Sequence, residues 1–174
     1  DALAVGDCYG RRGQIIIEAL SRGLHVISDK PVCIRQDDLG TISRLTEDKK
    51  LRLGCMLDLR DSPVFRGARA MIRAGEIGTV HAVTFGGQHP LLIGVRPSWY
   101  FEPGMHGGTI NDIAIHAMDL IPWITGLSFA TINAARSWNA FAGDVPHFLD
   151  GGQMMLTMNN GAGVLGDVSY FLPD

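Results

Sequence analysis

A strand, an amphipathic helix and a second strand follow one another within the first 28 residues, and few folds admit that succession. Asp1-Ala2-Leu3-Ala4-Val5-Gly6 is an apolar run of strand length. Gly13 to Arg22 then carries Ile16, Ile17, Ala19 and Leu20 at helical spacing, with Gly23 placed as a C-terminal cap. Leu24 to Ser28 reads as a second buried strand. The passage has the length of one parallel βαβ unit, about 30 residues with its connections. Gln36 to Asp48 follows as another amphipathic helix, with Leu39, Ile42 and Leu45 on one face, and Leu51 to Leu57 as a third apolar strand. Residues 1–60 therefore read as α/β, the second half of a doubly wound nucleotide-binding fold.

Beyond Ser62 the character changes. Pro63 opens a helix that closes at Gly75, with Phe65, Ala68, Met71 and Ile72 on its expected buried side. Thr79 to Phe85 reads as a strand, and Gly86 to Pro103 as a loop rich in Gly, Pro and aromatics. After an apolar helix come Thr131 to Trp138, Gly152 to Met158 and Ala162 to Tyr170, strands joined by turns such as Asn159-Asn160-Gly161. Residues 61–174 are expected to form an incomplete α+β domain with a largely antiparallel open sheet. Its stretch Val164 to Phe171 is expected to leave a free edge.

Composition removes several function classes. A net charge of −3 argues against a nucleic-acid surface or a polybasic membrane patch. The apolar runs are too short to span a bilayer, and no signal-peptide pattern is visible. Cys8, Cys33 and Cys55 are odd in number and widely spaced, reading as reduced thiols of a cytoplasmic protein. His81, His89, His106 and His147 show no metal-site spacing, so no metal is expected.

The chemistry concentrates in two places. Asp112, His116 and Asp119 follow Gly107-Gly108 at i, i+4 and i+7, a polar stripe along one face of an otherwise apolar helix. A neutral imidazole takes a proton near neutral pH, and a carboxylate one turn away can orient it. The plainer alternative is a capping-box-like start at Thr109-Ile110-Asn111-Asp112, with Asp112 serving backbone N–H groups and His116 a satisfied core residue. On spacing alone the plainer account is favoured by roughly two to one. Asp29-Lys30-Pro31 is the second place. A Lys-Pro after a strand usually marks a turn, yet open α/β sheets place ligands at the carboxyl ends of their strands. An ammonium there can steady a developing alkoxide. Trp99-Tyr100-Phe101 precedes the polar helix closely enough to overhang it, although such a stripe is more often ordinary core.

Taken together, these motifs resemble the Gfo/Idh/MocA family of sugar and polyol dehydrogenases. Gly23-Leu24-His25-Val26-Ile27-Ser28-Asp29-Lys30-Pro31 is similar to the family's G-K-H-V-x-x-E-K-P. Ser62-Pro63 and Gly75-Glu76-Ile77-Gly78-Thr79-Val80 match its P…G-x-I-G-x-V passage, and Gly107-Gly108-Thr109 through Asp112, His116 and Asp119 its G-G-x…D-x-x-x-H-x-x-D helix. The resemblance implies a Rossmann-type parallel sheet joined to a substrate domain, with NAD or NADP as cofactor. It implies Lys30, Asp112 and His116 as catalytic residues. Asp7, Tyr9, Asp29, Lys30 and Pro31 would meet cofactor, and Lys30, Trp99, His116 and Asp119 substrate. The Lys30–Pro31 bond would often be cis. Asp29 replaces the family's glutamate, and Asp7-Cys8-Tyr9 stands where T-P-N is common.

No Gly-Xaa-Gly-Xaa-Xaa-Gly follows a strand here, and the chain reads as a fragment lacking the glycine-rich segment and the C-terminal end. The expected function is hydride transfer between a sugar, polyol or inositol-like hydroxyl and a nicotinamide, in a homo-oligomer assembled through the open sheet. The fragment alone is expected to bind dinucleotide poorly and to be inactive. One alternative is a non-catalytic sugar-binding or oligomerisation module. A metal-dependent hydrolase using His116, Asp119 and His106 is another, discriminated by elemental analysis.

Overall fold

The first βαβ passage folds as its periodicity requires. In the computed structural model, which describes residues 1–173, β1 (Ala2–Val5), α1 (Tyr9–Ser21), β2 (His25–Asp29), α2 (Gln36–Asp48) and β3 (Leu53–Met56) form a parallel sheet in the order β1-β2-β3. Ala4 pairs with Ile27 and Ile27 with Gly54. Gly23 ends α1 at φ 81°, its N–H donating to Leu20 and that of Leu24 to Ala19, a Schellman closure. Val5, Ile16, Ala19, Leu20, Val26 and Ile42 make the core. The strands expected to be buried are only half so: burial alternates along β2, and Ile27 and Met56 are 50% and 58% exposed. Two right-handed crossovers into successive strands put both helices on one face, which accounts for the alternation. Leu39, expected on the inner face of α2, is exposed, while Ile42 is buried.

Residues 92–107 group with this first unit. The second comprises Leu57–Leu91 and the chain from Gly108 onward, so the compact units do not divide at a single point near residue 60. It holds α3 (Pro63–Arg73), β4 (Ala82–Pro90), α4 (Ile115–Thr125), β5 (Phe129–Trp138), β6 (Gly151–Met158) and β7 (Gly163–Leu172). Its sheet runs β4-β7-β6-β5, with β4 parallel to β7 and the other two pairings antiparallel. The expectation of a free edge at Val164 to Phe171 is overturned, because β7 lies inside the sheet between β4 and β6. Residues 86–90, expected in a loop, extend β4 because they pair with β7. Met71 of α3, expected buried, is 48% exposed.

One face of this sheet receives a π-helical turn, Ile110–Ala114, that leads directly into α4. Two glycines make room for it. A Cβ at Gly152 would lie 2.6 Å from Ile110 Cγ1, and one at Gly87 2.6 Å from Ile113 Cγ2. The loop between β5 and β6 folds around Asp150, which is fully buried and accepts the N–H groups of Ala140, Phe141 and Ala142 at 2.8, 2.7 and 2.6 Å. Among the described residues no helix is long and apolar enough to cross a membrane.

Candidate active site

The polar stripe of the sequence is built on the π turn, not on a uniform α-helix. Asp112 lies within that turn and is 4% exposed, and His116 stands half-buried on the first turn of α4. A π turn inserts extra backbone into the helical ladder and occurs frequently at functional sites. The capping-box alternative is not realised. The Thr109 hydroxyl caps nothing: both it and the Thr109 N–H donate to the carbonyl of Leu149. Asp112 instead accepts a hydrogen bond from the hydroxyl of Tyr170, a fully buried residue of β7. A buried carboxylate is tolerated when such donors satisfy it. Tyr170 packs against Phe148 and His89, at centroid distances of 5.5 and 6.2 Å.

One turn further along α4, Asp119 accepts two hydrogen bonds from Arg60, the one from Nε at 2.7 Å and the other from Nη2. This two-pronged pair holds the Arg60 guanidinium above its ordinary pKa. Arg60 and Arg69 flank the Trp123 ring at 5.9 and 4.5 Å. Sequence reading missed Tyr170 and Arg60. Each is 58 or 59 residues from its carboxylate partner, and nothing local marks either one.

In the first unit the expected cofactor residues sit at the carboxyl ends of β1 and β2. Asp29 and Lys30 enter the turn through a cis Lys30–Pro31 bond, as the resemblance implied, and the Lys30 N–H donates to Asp29 Oδ1 at 2.7 Å. Asp7 Oδ1 accepts the Cys8 N–H at 2.6 Å, and this bond, ahead of the nearby Arg11 and Arg12 charges, holds the carboxyl below the usual range. Burial and the Asp7 contact push the Cys8 thiol up, so it is no ready nucleophile. Tyr9 meets Trp99 edge-on at 5.1 Å, with Tyr100 and His106 at 6.0 and 5.7 Å. His106 is 5% exposed and packs on Tyr100 at 4.4 Å within this aromatic cluster, and among the described residues no group of three or more His, Cys, Asp or Glu could hold a metal ion.

Comparison with known proteins agrees with this arrangement. Residues 65–174 match the model of the GFO/IDH/MocA C-terminal domain, well over half of the chain. Levoglucosan dehydrogenase of Pseudarthrobacter phenanthrenivorans is 26% identical over 160 residues, covering 89% of this chain and 40% of that protein. The rhizopine catabolism protein MocA of Rhizobium meliloti is 24% identical over 147 residues, covering 84% and 45%. The chain thus spans less than half the length of these two curated relatives. A Thermotoga maritima structure provisionally assigned as an oxidoreductase superposes over all of this chain and 53% of its own, with a TM-score of 0.92 and 26% identity. With the sheet orders, the π-turn helix and the Lys-Pro turn all in place, the chain belongs to the GFO/IDH/MocA family.

Proposed function

We propose that the protein carrying this chain is a nicotinamide-dependent dehydrogenase acting on a hydroxyl of a sugar, polyol or inositol-like ring. The observation that carries the reading is the buried Asp112, hydrogen-bonded by Tyr170, one turn before a half-buried His116 in a chain of this family. The name of levoglucosan dehydrogenase supports the substrate class.

The donor set at the strand ends suits the nicotinamide half of NAD or NADP. Lys30 offers an ammonium, Tyr9 a ring face, and Asp7 and Asp29 carboxylates for ribose hydroxyls. When bound, the nicotinamide supplies the two-electron acceptor of the reaction. His116 takes the hydroxyl proton, and Asp112 holds the imidazole in the receptive tautomer and stabilises the imidazolium. Lys30 steadies the oxygen as negative charge develops. Trp99 contributes apolar substrate contact. Asp119, with both oxygens engaged by Arg60, acts on substrate as an Arg60–Asp119 unit. The test is a screen of the full-length protein with NAD and NADP against levoglucosan, inositols and aldoses. Reduced nicotinamide should form with at least one of them, and none forming with any would remove the reading.

Homo-oligomerisation belongs to the same proposal. The sheet face opposite the π turn exposes Met155 (53%) and Leu165 (52%), cross-strand partners, around an open apolar depression. Burying that face between copies should give a dimer mass in sedimentation equilibrium. A monomer mass at high concentration would contradict it.

A further inference from the structure

The sequence reading gave Arg12 no role, yet among the described residues it is the largest fully buried side chain. It stands in the first turns of α1 and is 1% exposed. Its guanidinium serves two loops at once. Nε and Nη2 donate to the Asp7 carbonyl at 3.1 and 2.6 Å, and Nη1 to the carbonyls of Asp29 and Pro31 at 3.2 and 2.8 Å. Asp29 Oδ2 lies 3.7 Å from Nη2, and the Tyr9 ring centroid 4.9 Å from the guanidinium carbon. The two carbonyls met by Nη1 belong to the residues immediately before and after Lys30.

Taking a guanidinium out of water is costly, and its pKa is too high for it to escape by losing its proton. An apolar side chain would fill the same space at the α1 sheet contact without that cost. What an apolar residue cannot do is bridge three backbone carbonyls in a fixed plane, a geometry set by the five N–H donors of arginine. We propose that Arg12 is the positioning residue of Lys30. It clamps the carbonyls of the residues before and after the lysine, in the Asp29–Lys30 and Pro31–Val32 peptides, and ties them to the Asp7 turn, so the ammonium is presented in one direction. The proposal rests on the reading of Lys30 as a substrate-facing lysine.

The chain has three lysines, and Lys49 and Lys50 at the end of α2 serve as internal references. In the full-length protein, Arg12→Lys and Arg12→Gln should be compared with the unsubstituted chain for the rate at which acetic anhydride acylates each lysine, read by peptide mass spectrometry. The expected result is that the Lys30 rate moves towards those of Lys49 and Lys50 while the latter two stay unchanged. On the substrate found in the screen, kcat should fall about tenfold or more, as misplacement of a catalytic group predicts. Arg12→Lys retains charge and length, so it keeps the test decisive if Arg12→Gln does not fold. A folded variant whose Lys30 rate equals that of the unsubstituted protein overturns the proposal. Full turnover in Lys30→Ala would instead remove the reading of Lys30 on which it rests, and the labelling result separates the two failures.

Discussion

Replacing His116 by alanine in the full-length protein is expected to lower kcat by about a hundredfold or more, the usual worth of a positioned general base. Cofactor affinity should stay unchanged, because none of the proposed dinucleotide contacts involves α4. The physical reason is specific to this helix. His116 follows a π turn that places Asp112, four residues earlier, against the Tyr170 hydroxyl, so that carboxylate is fixed from the sheet side. Tyr170→Phe, which deletes one hydrogen bond to a charged group, is expected to cost about 1.5–3 kcal/mol of what that carboxylate contributes. Its rate loss should be smaller than that of His116→Ala and of the same kind. Turnover near the unsubstituted value in His116→Ala, at saturating substrate and cofactor, would take the histidine out of the mechanism.

Asp150→Ala is expected to be the most destabilising single change in the second unit, by about 3 kcal/mol or more. Three backbone N–H groups would lose their acceptor in a fully buried position, and each such group costs about 1–3 kcal/mol. The damage should reach the site, because the neighbouring Leu149 carbonyl holds both the N–H and the hydroxyl of Thr109, at the entry of the π turn. Asp150→Asn keeps one acceptor oxygen and should lose less. Urea unfolding of the two variants measures the difference. Equal midpoints for Asp150→Ala and the unsubstituted protein would mean that the loop is not organised by this carboxylate.

What the sequence made legible was local. Apolar runs and helical spacing located the strands and helices longer than a turn but not all their bounds, since burial writes its period into the chain while residues 86–90 of β4 read as loop. Gly23 announced its cap and Pro63 its helix start for the same reason. Strand order was not legible. β4 and β7 pair in parallel across about 80 residues of chain, and the period of β7 is the same whether it lies at an edge or in the middle. The π turn was equally hidden, since Asp112, His116 and Asp119 fit an ordinary helix. Only the glycines opposite Ile110 and Ile113 betray it, and a glycine in a strand does not name what approaches it. Candidate site residues were legible as residue types at motif spacing. Their partners Tyr170, Arg60 and Arg12 were not, because a tyrosine in an alternating strand reads as core and an arginine on a helix reads as surface.

The account stands or falls on hydride leaving a carbinol carbon. A sugar or inositol deuterated at that carbon, incubated with the full-length protein and oxidised NAD or NADP, tests it by proton NMR of the recovered nicotinamide. The account predicts deuterium at C4 of the reduced ring, and none when His116→Ala replaces the unsubstituted protein over the same time. Recovery of an unlabelled nicotinamide alongside consumed substrate would contradict it.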